Sequence, residues 1–69
     1  MTDTEMLRGW IETKGLKYKS IAAFMGITPY SLQKKIDNET EFKASEISVF
    51  TTEYGMSPET RDLIFFAGV

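Results

Sequence analysis

The sequence predicts an all-α domain of five short helices, and three observations carry that prediction. Gly15, Gly26 and Gly55 each close an amphipathic run, at the place where a chain leaving a helix turns left-handed and a residue without Cβ is favoured. Asn38 suits the same place after the third run. Residues that start helices, among them Thr28-Pro29 and Ser57-Pro58, precede the runs. Nowhere do apolar and polar residues alternate for long enough to suggest a strand. A chain of 69 residues forms one domain, residues 1–69, and its small core requires helices that are well encoded locally.

The elements follow in order. The first helix is expected over about residues 3–14, with Thr2 and Glu5 at capping-box spacing and an apolar stripe of Leu7 and Ile11 flanked by Met6 and Trp10. Trp10 reads as a core or partly buried residue rather than a binding aromatic. The second helix, about 18–25, turns Ile21, Ala22 and Met25 inward, and the small Ala22 allows the next helix to cross closely. Lys17 stands where a Ser or Thr cap would be expected, so this start is poorly capped. In the turn, Gly26 permits the bend, Ile27 plugs the gap and Thr28 caps the third helix, where Pro29 fits the first position because its missing N–H costs nothing there.

The third helix spans about residues 29–37, and a turn of roughly 100° per residue sorts its faces. Leu32 and Ile36 define the core side; Tyr30, Ser31, Gln33, Lys34 and Asp37 point outward, with Lys35 at the edge. A polar loop, 38–43, follows with Phe42 as its apolar anchor. The fourth helix, about 44–54, offers Ile47 and Phe50 to the core and has Glu46 in its first turn, as the helix dipole prefers. The fifth, about 58–67, carries the unbroken run Leu63-Ile64-Phe65-Phe66. Leu63, Phe66 and part of Ile64 are expected to close the core, leaving Phe65 half exposed; an exposed apolar patch used for association is the alternative.

Composition excludes several classes of function. Cysteine and histidine are both absent, so no disulfide, Cys-based metal site, Ser-His triad or histidine general base is available, and no cofactor is expected. No run of about 18 apolar residues is present, and the start MTDTEML is acidic without an apolar stretch, so neither a membrane span nor a secretory leader is expected. Nothing gathers carboxylates in an apolar setting or cradles a phosphate with glycines, so no enzyme is expected. Net charge is −2, but it is unevenly spread. Residues 1–43 hold seven Lys/Arg and six Asp/Glu, whereas residues 44–69 hold Arg61 against four acids. The cations lie in the half that contains the turn at Gly26, which is weakly positive.

Ile21-Ala22, Met25-Gly26-Ile27-Thr28, Leu32 and Ile36, in the order helix, helix, tight turn, outward-facing helix and two more helices, resemble the Cro and phage-repressor (XRE-like) helix-turn-helix family. The stretch Phe42-Lys43-Ala44-Ser45-Glu46-Ile47 is similar to short phage regulators of that family. The resemblance covers roughly residues 5–66, with the helix-turn-helix at 18–37. It implies a five-helix Cro/repressor-like domain in the cytoplasm of a bacterial host. Its function would be that of a phage or prophage regulator in a lysis/lysogeny-type genetic switch, binding double-stranded operator DNA as a homodimer.

On that reading the third helix enters the major groove. Pro29, Tyr30, Ser31, Gln33 and Lys34 face base edges or a partner. Lys17, Tyr18, Lys19, Thr28, Lys35 and Lys43 hold phosphates. Gln33 has the chemistry to bond adenine, Lys34 to reach guanine O6/N7, and the Tyr30 ring to meet a thymine methyl. Three features depart from the family. Pro29 stands where a long polar reader is common, Lys35 where an apolar residue is usual, and Tyr18 where a phosphate-contacting Gln is frequent. Pro29, the acid at Asp37, the low charge and the apolar end of the chain support an alternative of a different class. This is an anti-repressor that uses the same surface to bind a phage repressor protein instead of DNA.

Overall fold

The computed structural model describes residues 1–66. They form five α-helices, with no strand among the described residues: α1 Thr4–Thr13, α2 Tyr18–Met25, α3 Pro29–Ile36, α4 Ala44–Tyr54 and α5 Pro58–Phe65. The expected end of the last helix, at 67, lies outside the described residues. Gly15, Gly26 and Gly55 have φ of 67°, 72° and 71°, and Asn38 has φ 64°, so the left-handed helix exits stand where the sequence placed them. None of the described helices is long and apolar enough to cross a membrane.

The helices close into a ring. α1 packs on α3 and α5, α2 on α3 and α4, and α4 on α5. Each thus has two close helix neighbours among the described residues, and all turn their apolar stripes to one centre. The core is Leu7 and Ile11 from α1, Ile21 and Ala22 from α2, Leu32 and Ile36 from α3, Phe50 from α4, Met56 after it, and Ile64 and Phe65 from α5. Burying a side chain of this kind stabilises the fold by about 1.5–3 kcal/mol. Phe50 is the hub of its aromatic part. Trp10 meets its ring edge-on at 5.9 Å and Phe42 at 6.0 Å, and Phe65 lies against it at 5.5 Å. Trp10 is thus a partly buried packing residue, and Phe42 anchors its loop as expected.

Two details correct the sequence reading. The cap of α1 is Asp3, whose carboxylate accepts the Met6 N–H, and not Thr2. Thr2 is drawn away because its backbone pairs with Asn38 in both directions. Its N–H donates to Asn38 Oδ1 at 3.0 Å, and its carbonyl accepts from Asn38 Nδ2 at 2.6 Å. The second correction reverses the end of α5. Ile64 and Phe65 are buried, whereas Leu63 and Phe66 are 59% and 47% exposed. The Asp3 N–H donates to the Ile64 carbonyl at 2.7 Å, and the Phe65 ring meets both Phe42 (5.2 Å) and Phe50. Ile64 and Phe65 together therefore fill the wedge between α1 and α4. Leu63 and Phe66, three positions apart, fall on the other side of the helix.

Candidate functional site

The α2–turn–α3 unit forms for local reasons that can be followed residue by residue. Gly26 leaves α2 in the left-handed conformation, φ 72° and ψ 29°, and the Ile27 N–H donates to the Ala22 carbonyl at 3.0 Å. That bond closes the turn and satisfies a carbonyl the helix would otherwise leave open. A Cβ on Gly26 would meet nothing within 4 Å, so the glycine serves the backbone angle and not a close approach. Ile27 packs against the core between the helices. The Thr28 hydroxyl accepts the Ser31 N–H at 3.0 Å and lies 3.0 Å from the Ser31 hydroxyl, and Pro29 takes the first helical position. Ala22 is buried where α2 and α3 pack. Leu32 and Ile36 are fully buried, which pins the roll of α3.

With that roll set, the residues expected to face a ligand divide. Pro29, Tyr30 and Gln33 are exposed, Tyr30 by 69%. Lys34 is half-buried, with its Nζ 5.5 Å from the centre of the Tyr30 ring, so the two form a cation–π pair on the outward face. Ser31 is half-buried and its N–H and hydroxyl are engaged by Thr28. Lys17, Lys19 and Lys43 are exposed, and Lys17 precedes α2 with no side chain capping it. Tyr18 is half-buried against the core.

Lys35 behaves differently from the phosphate contact expected of it. Its side chain is only 12% exposed, its Nζ lies 3.1 Å from Glu46 Oε1, and it donates to the Glu41 carbonyl at 2.9 Å. Glu46, 6% exposed at the side chain, also accepts the Lys43 N–H at 2.8 Å, the backbone half of a capping box. The sequence reading placed Glu46 in the first turn of its helix but did not find its partner. Phe-Lys-Ala-Ser-Glu, with its acid three after Lys43, was the available signal for the bond to Lys43.

The outward face also gains a cation from outside the unit. Asp37 is paired with Arg8 of α1, so its charge is matched across 29 residues of sequence that no local pattern connects. Elsewhere, burial and then the neighbouring Glu53 carboxylate push the Tyr54 phenol above its ordinary 10.0. Its ring stands edge-on to Phe24 at 5.8 Å, and Phe24 itself is largely exposed.

The site is therefore a convex one. It has a helix held by its inner face and an outer face of one amide, one aromatic ring, one cation and a proline. Such a surface can present hydrogen-bond donors and a flat apolar ring to a groove or a protein. Compared with family models, curated proteins and solved structures, the chain finds no match.

Proposed function

We propose that this protein is a Cro-like transcriptional regulator of a phage or prophage, with α2 and α3 as a helix-turn-helix. Its α3 enters the major groove of operator DNA in a lysis/lysogeny-type switch. One observation carries the reading: the side chains with base-reading chemistry stand clear of the buried Leu32 and Ile36, Tyr30 and Lys34 on the opposite face of α3 and the exposed Gln33 on its flank. The Asp37–Arg8 pair supports it further, because a lone acid at the end of that face would repel phosphate. Exposed Lys17 and Lys19 at the start of α2 and Lys43 at the start of α4 are available to neutralise phosphates and hold the register.

The test is fluorescence anisotropy with duplexes from the DNA bordering the gene, titrated in about 50 and 200 mM salt. A regulator neutralising about four phosphates loses about 100-fold in affinity over that interval and prefers its own duplex to a scrambled one. Absence of binding at the lower salt would end this reading.

A second reading follows from a separate observation. Pro29 and Tyr30 form an exposed apolar tip on α3, and Phe24 is 57% exposed on α2. Such a tip is suited to a protein pocket, as in an anti-repressor bound to a repressor protein. Co-purification with the product of a neighbouring repressor gene, lost in Tyr30→Asp, would favour it; no complex at all would remove it.

A further inference from the structure

We infer that the buried Lys35–Glu46 pair is a positioning device that carries the roll of α3 across to the head of α4, holding Lys43 in a set place relative to Tyr30, Gln33 and Lys34. In the ring of helices, α3 and α4 are not close neighbours. Among the described residues this pair is the salt bridge between them, at 3.1 Å and nearly out of water at both ends. Each partner also takes hold of the connecting loop. Lys35 Nζ donates to the Glu41 carbonyl at 2.9 Å, and Glu46 Oε1 accepts the Lys43 N–H at 2.8 Å. The loop from Asp37 to Lys43 is therefore laced from both helices by one salt bridge. The start of the loop is held separately, by the Glu39 N–H on the Lys34 carbonyl and by Asn38 on the Thr2 backbone, and Phe42 is seated on Phe50 and Phe65; the backbone at Glu41 and Lys43 is what the ion pair takes hold of.

An apolar pair could hold two helices together as well or better, since a buried ion pair returns little net stability after desolvation. Two leucines could not accept the Lys43 N–H or donate to the Glu41 carbonyl. The ion pair thus supplies direction: it fixes where the loop backbone runs and so where Lys43 emerges. Under the regulator reading proposed above, Lys43 is a phosphate contact and its placement sets the register of α3 in the groove. Neither Lys35 nor Glu46 touches the ligand; both act through Lys43.

The test uses the full chain with Lys35→Met/Glu46→Leu, Lys43→Ala, and the three changes combined. The first readout is the backbone order parameter of the amides at 39–43, measured by 15N relaxation without DNA. The Glu39 and Thr40 N–H groups are held by the Lys34 carbonyl whether or not the pair is present, so the amides at 41–43 decide: wild-type values there should match those of the helices, near 0.85, and fall toward about 0.6 in Lys35→Met/Glu46→Leu while helix values hold. Loop amides as ordered as in the wild type would overturn the inference, whatever the protein binds. Should that variant fail to fold, Lys35→Met/Glu46→Gln keeps an acceptor for the Lys43 N–H. Its loop should loosen around Glu41 only, and a fully ordered loop there overturns the inference equally.

The second readout is the salt dependence of operator affinity. Lys43→Ala should reduce the slope of log K against log salt by about one unit in the wild type and by nothing in the Lys35→Met/Glu46→Leu background. An equal loss in both backgrounds would show that Lys43 does not depend on the pair. If the wild type binds no DNA, the regulator reading fails, and the relaxation experiment alone decides whether the device exists.

Discussion

Lys34 and Lys35 are consecutive, chemically identical, and do opposite things. Lys34 rides on the outward face of α3, over the Tyr30 ring. Lys35 is drawn inward onto Glu46 and the Glu41 carbonyl, with 12% of its side chain left in water. The step of about 100° between neighbours on a helix is enough to separate them, because the positions of Leu32 and Ile36 have already fixed which way is in. The difference teaches that charge counted along the chain is a poor guide to charge presented to a partner. Of the two adjacent cations on α3, one is committed to the fold; conversely the acid at Asp37 is offset by Arg8. Both effects fall at the C-terminal end of α3, where one cation and one acid that the sequence counts are each matched by a partner from another helix.

The comparison between the two faces breaks most visibly at Leu32. Leu32→Ala removes a fully buried side chain between helices that must stay in contact for α3 to hold its roll. The expected loss is about 3 kcal/mol, which for a domain of this size lowers the melting temperature by roughly 15 °C. Gln33→Ala, one residue on and exposed, should change stability by less than about 0.5 kcal/mol. Thermal unfolding followed by circular dichroism measures both. Similar losses for the two would mean that α3 is not seated by its inner face.

The next contrast is between the lysines themselves. Lys35→Met keeps the length of the chain and leaves Glu46 nearly buried with only the Lys43 N–H for company. Full burial of an unpaired charge costs several kcal/mol; with that hydrogen bond retained and some water access, about 2 kcal/mol is expected. Lys34→Met should be close to neutral. Adding Glu46→Leu to Lys35→Met should restore most of the loss, because the uncompensated charge is then gone. Urea unfolding of the set decides it, and a double variant no more stable than Lys35→Met would count against the ion pair as the cause.

These contrasts also mark where the sequence could be read and where it could not. The turn was legible because each of its residues acts on its own neighbours: Gly26 through its φ, Thr28 through the N–H three residues on, and Pro29 through its own ring. Leu32 and Ile36 were legible because helical spacing is local too. Thr2 has capping-box spacing but does not cap, since Asn38, 36 residues away, takes its backbone, and Asp3 caps in its place. At Leu63-Ile64-Phe65-Phe66 four apolar residues in a row leave the inward side undetermined. Contacts with Asp3, Phe42 and Phe50 settle it: Ile64 is inward as expected in part, whereas Leu63, Phe65 and Phe66 stand opposite to the expectation. Within the site, Tyr30 and Gln33 stand exposed where the helical angle puts them, whereas Lys35, at the edge by that angle, is turned inward by the carboxylate of Glu46, which the angle alone does not reveal.

The smallest effect on stability should come from the residue that matters most to the proposed activity. In Lys34→Gln the cation leaves the Tyr30 ring, an exposed contact worth about 0.5 kcal/mol, and no buried group loses a partner. The melting curve should hardly move. Operator affinity should nonetheless fall about tenfold, which corresponds to about 1.4 kcal/mol, the lower part of the range for one base contact. A lysine that reads a base loses discrimination at one position of the duplex. A lysine that only neutralises phosphate loses affinity evenly across sequences and takes about one unit off the salt slope. Titrating Lys34→Gln against duplexes substituted one base pair at a time separates the two. A variant that binds every duplex as the wild type does would show that the outward lysine is as little concerned with DNA as the inward one.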